Sequence, residues 1–307
     1  MQTYDVLSYG TIGMDRIIRV PRVPLANRTT HSSDESLHLG GKATNTASIL
    51  AHWGVSVAVS GTTIGDDSMG DSIFEALKDH PGISTEFMAR KRDLASMFCY
   101  IFVAQNGERV IVGMNADDNP PTRVGSKMIE RCRLLTLDLY GGDERVEAAR
   151  LAQSLAKPVI VGDVRDPDHP VLPYTDVAIA SATELAMDGI DPGEFSKQVM
   201  CSGAGSVIVT NGSMPIHVID PDQKIVEIMP PEVEVVDTTG AGDAFRAGVV
   251  YGVLNNMALL ESATVGAAVG SLMTTALGAT RMIPGLDTVM DLANRLQYKR
   301  LYTSDSP

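Results

Sequence analysis

Cysteine is scarce in this chain: Cys99, Cys132 and Cys201 are the only three in 307 residues, and none belongs to a CxxC pair or stands at Cys/His metal spacing. That excludes a disulfide framework and a cysteine-built zinc site, and predicts reduced thiols. The six histidines include neither an HExxH motif nor a pair at helical spacing, which argues against a histidine-based zinc enzyme. Positive charge is also in deficit, with 25 basic residues against 38 acidic ones and a net charge of −13. A nucleic-acid backbone is therefore not expected as a partner, and any anion must be met by a local site. No apolar run approaches the roughly 20 residues that span a bilayer, so no membrane association is expected. The opening MQTYDVLSYG lacks a basic segment followed by a secretory hydrophobic region, and a cytoplasmic protein is expected.

What the chain does have is 44% hydrophobic content, enough for one main domain with an appendage. Short β-branched runs at Asp5–Ser8, Val55–Ser60, Val159–Val161, Val177–Ile179 and Val207–Thr210 alternate with helical stretches at Thr44–Trp53, Met69–Asp79, Asp143–Ala156 and Pro192–Cys201. This alternation predicts an α/β fold in which helices cover both faces of a parallel sheet, with the active site at the carboxyl ends of the strands. Two regions interrupt it. Arg16–Leu39 carries Pro21 and Pro24, and Ser96–Met114 reads as strand, Asn106-Gly107 turn, strand. Together they can form a small projecting sheet, either a lid over the site or an ordinary edge hairpin. The terminal YTSDSP reads as a frayed tail.

The most informative segment is VVDTTGAGDAFRAG, residues 235–248, where an apolar strand end meets Gly240-Ala241-Gly242 and then a helical stretch from Asp243 to Asn255. Backbone N–H groups converge at such a junction and the helix N-terminus adds partial positive charge, so Gly240, Ala241 and Gly242 form a candidate anion hole. Asp243 reads in two ways: a base beside that hole, or an N-cap. The turn is neither GxxxxGK[ST] nor GxGxxG, so the common nucleotide motifs do not account for it.

DTTGAGDAFRAG, residues 237–248, resembles the C-terminal signature of the PfkB, or ribokinase-like, carbohydrate kinases. Gly40-Gly41-Lys42, Asn45, Gly54, Gly61 and Gly65-Asp66-Asp67-Ser68-Met69-Gly70 resemble the family's N-terminal pattern. The resemblance covers essentially the whole chain. It implies a three-layer α/β/α ribokinase-like fold with a central mostly parallel sheet, a core of residues 1–10, 41–94 and 119–307, and a β-sheet lid of residues 11–40 and 95–118. It also implies ATP-dependent phosphorylation of a sugar hydroxyl, with Asp243 as the catalytic base and Asp15, Gly41, Lys42 and Asn45 as sugar ligands. From the residues alone, Gly40-Gly41 can equally be a turn and Asn45 a helix cap. Further implications are Thr210, Gly212, Ala267 and Gly270 at ATP, and Glu184 toward Mg2+ through water. Asp237 and the Thr239 backbone carbonyl are implied as ligands of a monovalent cation (K+), and a homodimer through the lid as the assembly.

Two departures stand out. Ser181 replaces the asparagine of the family's Asn-x-x-Glu segment ahead of Glu184, and Pro215 replaces the second glycine of its TxGxxG loop after Thr210 and Gly212. Substrate cues diverge as well: Gly40-Gly41-Lys42 resembles the ribokinase branch, while Asp163-Val164-Arg165 and Ser181–Glu184 lie in segments resembling the branch that includes sulfofructose kinase. A nucleoside kinase and a catalytically silent sugar- or nucleotide-binding regulator are the alternatives. A free sugar is the leading acceptor, because Lys42 is the one obvious cation of the sugar-facing set.

Overall fold

The computed structural model describes residues 2–106, 108–115, 119–276, 278–280 and 282–301. Gly107 of the expected Asn-Gly turn and the tail 302–307 lie outside the described residues. A 10-stranded sheet runs, edge to edge, through Tyr298–Leu301, Ile225–Ile228, Ile216–Ile219, Val207–Thr210, Val177–Ser181, Val159–Gly162, Cys132–Asp138, Tyr4–Gly10, Val57–Gly61 and Ile83–Ser84. From Val207–Thr210 to Ile83–Ser84 every pairing is parallel, and the other edge is closed by antiparallel pairings.

Strand periodicity divides the core into two layers. Leu134, Ile160, Ile179 and Ile208 pack with the helices Lys42–His52, Ala241–Leu254 and Leu259–Met273. Their neighbours Leu135, Val161, Ala180 and Val209 pack on the opposite face with Glu144–Ser154 and Pro192–Cys201. The central strand Cys132–Asp138 is one that the alternation of β-branched runs does not pick out. Its leucines are fully buried but are flanked by Arg131, Arg133 and a buried Asp138, so its composition reads as mixed.

The two interrupting regions form a separate four-stranded sheet in the order Asp34–Gly40, Gly13–Val20, Phe98–Ala104, Arg109–Met114. The expected hairpin is present: Phe98–Ala104 and Arg109–Met114 pair antiparallel, and Ala104 N–H donates to the Glu108 carbonyl at 2.9 Å to close it. Among the described residues no helix is long and apolar enough to cross a membrane.

The Ala241–Leu254 and Leu259–Met273 helices approach closely enough to need glycine. A Cβ on Gly248 would lie 2.6 Å from the Gly266 backbone. This contact fixes the axis whose N-terminus begins the site.

Candidate active site

Gly240 adopts φ +76° as the N-cap of the Ala241–Leu254 helix, a left-handed conformation suited to glycine. A side chain there would also collide with Ala279, 2.5 Å from the Cβ position. The chain thus reverses tightly at the start of the helix, where the Ala241 N–H donates to the Thr238 carbonyl at 3.3 Å. Asp243 stands in the first helical turn and is only 7% exposed. Its Oδ2 accepts from Asn45 Nδ2 at 2.8 Å, and its Oδ1 lies 3.4 Å from Arg246 Nη2, one helical turn on.

Arg246 is 2% exposed and gathers the site. It donates to Thr46 Oγ1 from Nε at 3.1 Å and from Nη2 at 2.9 Å, to the Lys42 carbonyl at 2.7 Å and to the Leu137 carbonyl at 3.3 Å. Space for it depends on Gly162, whose Cβ would sit 2.8 Å from Nη1. Asp163, at the end of the adjoining strand, closes the network: Oδ1 accepts from Lys42 Nζ at 2.6 Å and Oδ2 lies 3.8 Å from Arg246 Nη1. Asp163 adopts φ +60°, uncommon outside glycine and often found where a site demands a particular side-chain aim. The Lys42 ammonium also lies 5.2 Å from the Tyr140 ring centroid.

The result is an alternating set of charges, Asp243 with Arg246 and Lys42, and Asp163 between the two cations. Burial pushes the Asp243 carboxyl above its ordinary range, against the pull of Lys42 and Arg246, while Asp163 adds to the rise. Burial acts on Lys42 in the opposite sense, but Asp243 and Asp163 outweigh it and hold the ammonium above its usual value. Asp15, on the small sheet, is pushed up to about 6, first by burial and then by the charge of Asp243. Gly40 makes room for it, since a Cβ there would meet the Asp15 carboxyl at 2.4 Å.

The helix that carries Lys42 and Asn45 is anchored from below. Gly41, at φ +95°, is its N-cap; Thr11 accepts from Lys42 N–H at its hydroxyl (2.9 Å) and from Ala43 N–H at its carbonyl (3.1 Å). Thr11 in turn donates its N–H to Asp138 Oδ2 at 2.7 Å, and the fully buried Asp138 is paired with Arg145 at 3.6 Å. Asp15, Gly41, Lys42, Asn45 and Asp243 therefore converge from the small sheet, the first helix and the glycine-rich turn.

The residues expected at ATP are more dispersed. Thr210 ends its strand with its hydroxyl on the Ala180 carbonyl at 3.2 Å, and Gly212 follows at φ +57°. Ala267, 2% exposed, belongs to the packed core of the helix pair, and Gly270 backs onto Ala241 and Phe245. Ser181 is the N-cap of the Ala182–Met187 helix. Glu184 in that helix pairs with Arg165 at 2.9 Å. The pair engages Oε2 of a side chain that is 34% exposed. A partly exposed carboxylate paired with one guanidinium is chemically able to accept from the water shell of Mg2+.

Asp237 and Thr239 fit a bound cation poorly. Asp237 Oδ1 accepts from Thr239 N–H at 2.9 Å and Thr239 Oγ1 at 2.6 Å, and Oδ2 accepts from Gly278 N–H at 2.9 Å. Arg109, from the small sheet, adds a guanidinium 3.5 Å from Oδ1 and donates to Thr239 Oγ1 at 2.8 Å. Among the described residues no cluster of three or more His, Cys, Asp or Glu could hold a metal ion.

Sequence reasoning missed Arg246, Thr46 and Arg109 as site residues. Arg246 had a readable signal, three residues beyond Asp243 on one helix, whereas Arg109 reaches its partner across 130 positions that no local pattern links.

Comparison with known proteins shows the family and the fold. Residues 3–285 match the family described as pfkB family carbohydrate kinase. Ribokinase of Bacillus subtilis is 25% identical over 297 residues, covering 94% of this chain and 99% of that protein. An ATP-dependent ribose-1-phosphate kinase of Halopiger xanaduensis is 28% identical over 256 residues, covering 80% and 83%. In fold, the structure of Arabidopsis thaliana ribokinase complexed with ribose and ATP superposes with a TM-score of 0.81 at 21% identity, covering 95% of this chain and 99% of that one.

Proposed function

Because the chain belongs to the pfkB family of carbohydrate kinases, phosphotransferases with an alcohol group as acceptor, we propose that Asp243 is the general base for transfer of the ATP γ-phosphoryl group to a hydroxyl of a free sugar. The observation that carries this reading is the placement of a buried carboxylate, raised above its ordinary range, in the first turn of the helix that Gly240 opens. A base works best with a pKa drawn toward the operating pH, and the N–H groups of Gly240, Ala241 and Gly242 supply positive potential for the phosphoryl oxygens. The acceptor hydroxyl gives its proton to Asp243 as its oxygen bonds phosphorus, and the bond to the bridging oxygen of ADP breaks. Asn45 orients the base by its hydrogen bond to Oδ2. Thr210 and Gly212 are the nucleotide-facing pair, with Ala267 and Gly270 shaping that side through packing. Glu184 would meet Mg2+ through water, and the ion would supply positive charge to neutralise the phosphates.

The acceptor is a free sugar of ribose or ketohexose type, although one relative is named for ribose 1-phosphate. Around Asp15 and Asp243 the cations are already committed: Lys42 to Asp163, Arg246 to Asp163 and Asp243, and Arg165 to Glu184. An anionic acceptor would face Asp15 and Asp243 without an arginine cluster, whereas hydroxyls suit these acceptors. The small sheet acts as a lid over this acceptor site, with its exposed Val110, Ile111 and Val112 the surface for a homodimer contact.

Asp243→Asn keeps shape and removes the basic carboxylate, so kcat is expected to fall at least about a hundredfold with ATP affinity nearly unchanged. Near-normal turnover would remove Asp243 from the chemistry. Acceptor class is read from kcat/KM over ribose, fructose, ribose 1-phosphate and adenosine at matched ATP and magnesium. A phosphorylated sugar or a nucleoside that exceeds every free sugar by about tenfold overturns the acceptor and leaves the kinase standing.

A further inference from the structure

We infer that the guanidinium of Arg109 takes the place of a monovalent cation at Asp237 and Thr239, so that this kinase works without K+ and draws the balancing charge from its own small sheet. The site needs such a charge. Asp237 is 8% exposed and lies just ahead of the turn whose N–H groups face an anion, where an unbalanced carboxylate would oppose the phosphoryl group. Arg109 answers both groups of the pair, standing 3.5 Å from Asp237 Oδ1 and donating to Thr239 Oγ1 at 2.8 Å.

A second cation would find the Asp237 carboxylate already occupied. Oδ1 already receives two hydrogen bonds from Thr239, Oδ2 receives one from Gly278, and an added ion on Oδ1 would share that oxygen with the guanidinium. Like charges at that separation repel most strongly where water is excluded, and the Asp237 side chain is only 5% exposed. A guanidinium tethered to the chain does not depend on the salt present in solution. It does depend on the sheet. Arg109 begins the outer strand Arg109–Met114, so docking of that strand and charge balance behind the anion hole occur together.

The inference rests on the kinase reading for its activity assay, and a stability assay tests it independently. Wild-type protein and Arg109→Ala are compared in KCl and in tetramethylammonium chloride at equal ionic strength. Wild-type kcat/KM is expected to change by less than about twofold between the salts, while Arg109→Ala loses about tenfold or more in tetramethylammonium and recovers most of it in K+. Without any acceptor, K+ should raise the melting temperature of Arg109→Ala and leave that of the wild type unchanged, because only the variant has a vacated cation position. Arg109→Lys, which keeps a positive charge, should stay active in tetramethylammonium and covers the case of an alanine variant that does not fold. Activation of the wild type by K+ of about fivefold or more overturns the inference, as does a folded Arg109→Ala that K+ neither stabilises nor restores. If no acceptor supports turnover, the kinase reading fails while the melting data still decide this one.

Discussion

Asp237 and Asp243 stand at the two ends of one glycine-rich turn, are almost equally buried at 8% and 7% exposure, and live in opposite chemical surroundings. Asp237 is held mainly by neutral donors, the N–H and hydroxyl of Thr239 and the N–H of Gly278, with the Arg109 guanidinium at 3.5 Å as its one charged partner among the described residues. Asp243 receives one short hydrogen bond from Asn45 and otherwise meets charged groups: Arg246, and electrostatically Lys42 and Asp163. The first arrangement ties down a carboxylate that shapes a loop. The second leaves a carboxylate whose proton affinity is set by a balance of large opposing effects, which is what a proton acceptor requires. Burial alone therefore does not mark the base; the kind of partner does.

The strongest way to break this contrast is to remove the cation that Asp243 shares with Asp163. Arg246→Met keeps much of the buried volume but leaves two carboxylates with only Lys42 between them. Loss of one partner from a buried charge network costs about 3–5 kcal/mol, so the denaturation midpoint should fall accordingly. Burial would then act on Asp243 with less opposition and raise its pKa further, so residual activity should move to higher pH. A variant as stable as wild type would show that the network contributes no net stabilisation.

Asp237→Asn probes the other end and is expected to cost less, about 1–3 kcal/mol. The amide keeps one acceptor oxygen, but its NH2 must face either Thr239 or Gly278, both of which donate. The midpoint should fall with no change in the pH dependence of turnover, measured by pairing thermal melts with a pH–rate profile. A displaced profile would show that Asp237 tunes the base after all.

This contrast was only half legible beforehand. The turn, the helix and the position of Asp243 are local in sequence, and the glycines at 240 and 242 announce a tight reversal, so periodicity and turn chemistry place them, while the role of Asp243 as base rests on the resemblance. Asp15, Lys42 and Asn45 were legible through resemblance and not through local physics, since their convergence on Asp243 spans 198 positions in the case of Asn45. The partners were the hard part. Arg109 sits in a strand chosen for its hairpin signal, and nothing in that signal says where the side chain reaches. Asp163 lay at a strand end where sites form, but its left-handed backbone, which aims it at Lys42 and Arg246, cannot be read from an aspartate in a DVR segment. The same limit hid the strand Cys132–Asp138, because a buried Asp138 makes sense only once Thr11 and Arg145 are beside it.

The smallest expected effect sharpens the comparison by using Asp15 as a probe of the charge on Asp243. The Asp15 carboxyl is pushed up to about 6, whereas an unfolded aspartate titrates near 3.9. The folded protein then holds more protons than the unfolded chain between about pH 4 and 6, so this group's contribution to stability declines as pH rises through that window and is level above it. Part of the rise comes from burial, which Asp243→Asn leaves in place, and part from the negative charge of Asp243, which it removes. The variant should therefore hold Asp15 at a lower pKa, read from the Asp15 carboxyl resonance in an NMR titration, because the stability slope also loses the titration of Asp243 itself. Asp237→Asn serves as the control, because Asp237 is not among the groups that raise Asp15. An unchanged Asp15 titration in Asp243→Asn would mean that the two carboxylates do not sense each other, and that Asp15 and the base are not neighbours in one acceptor site.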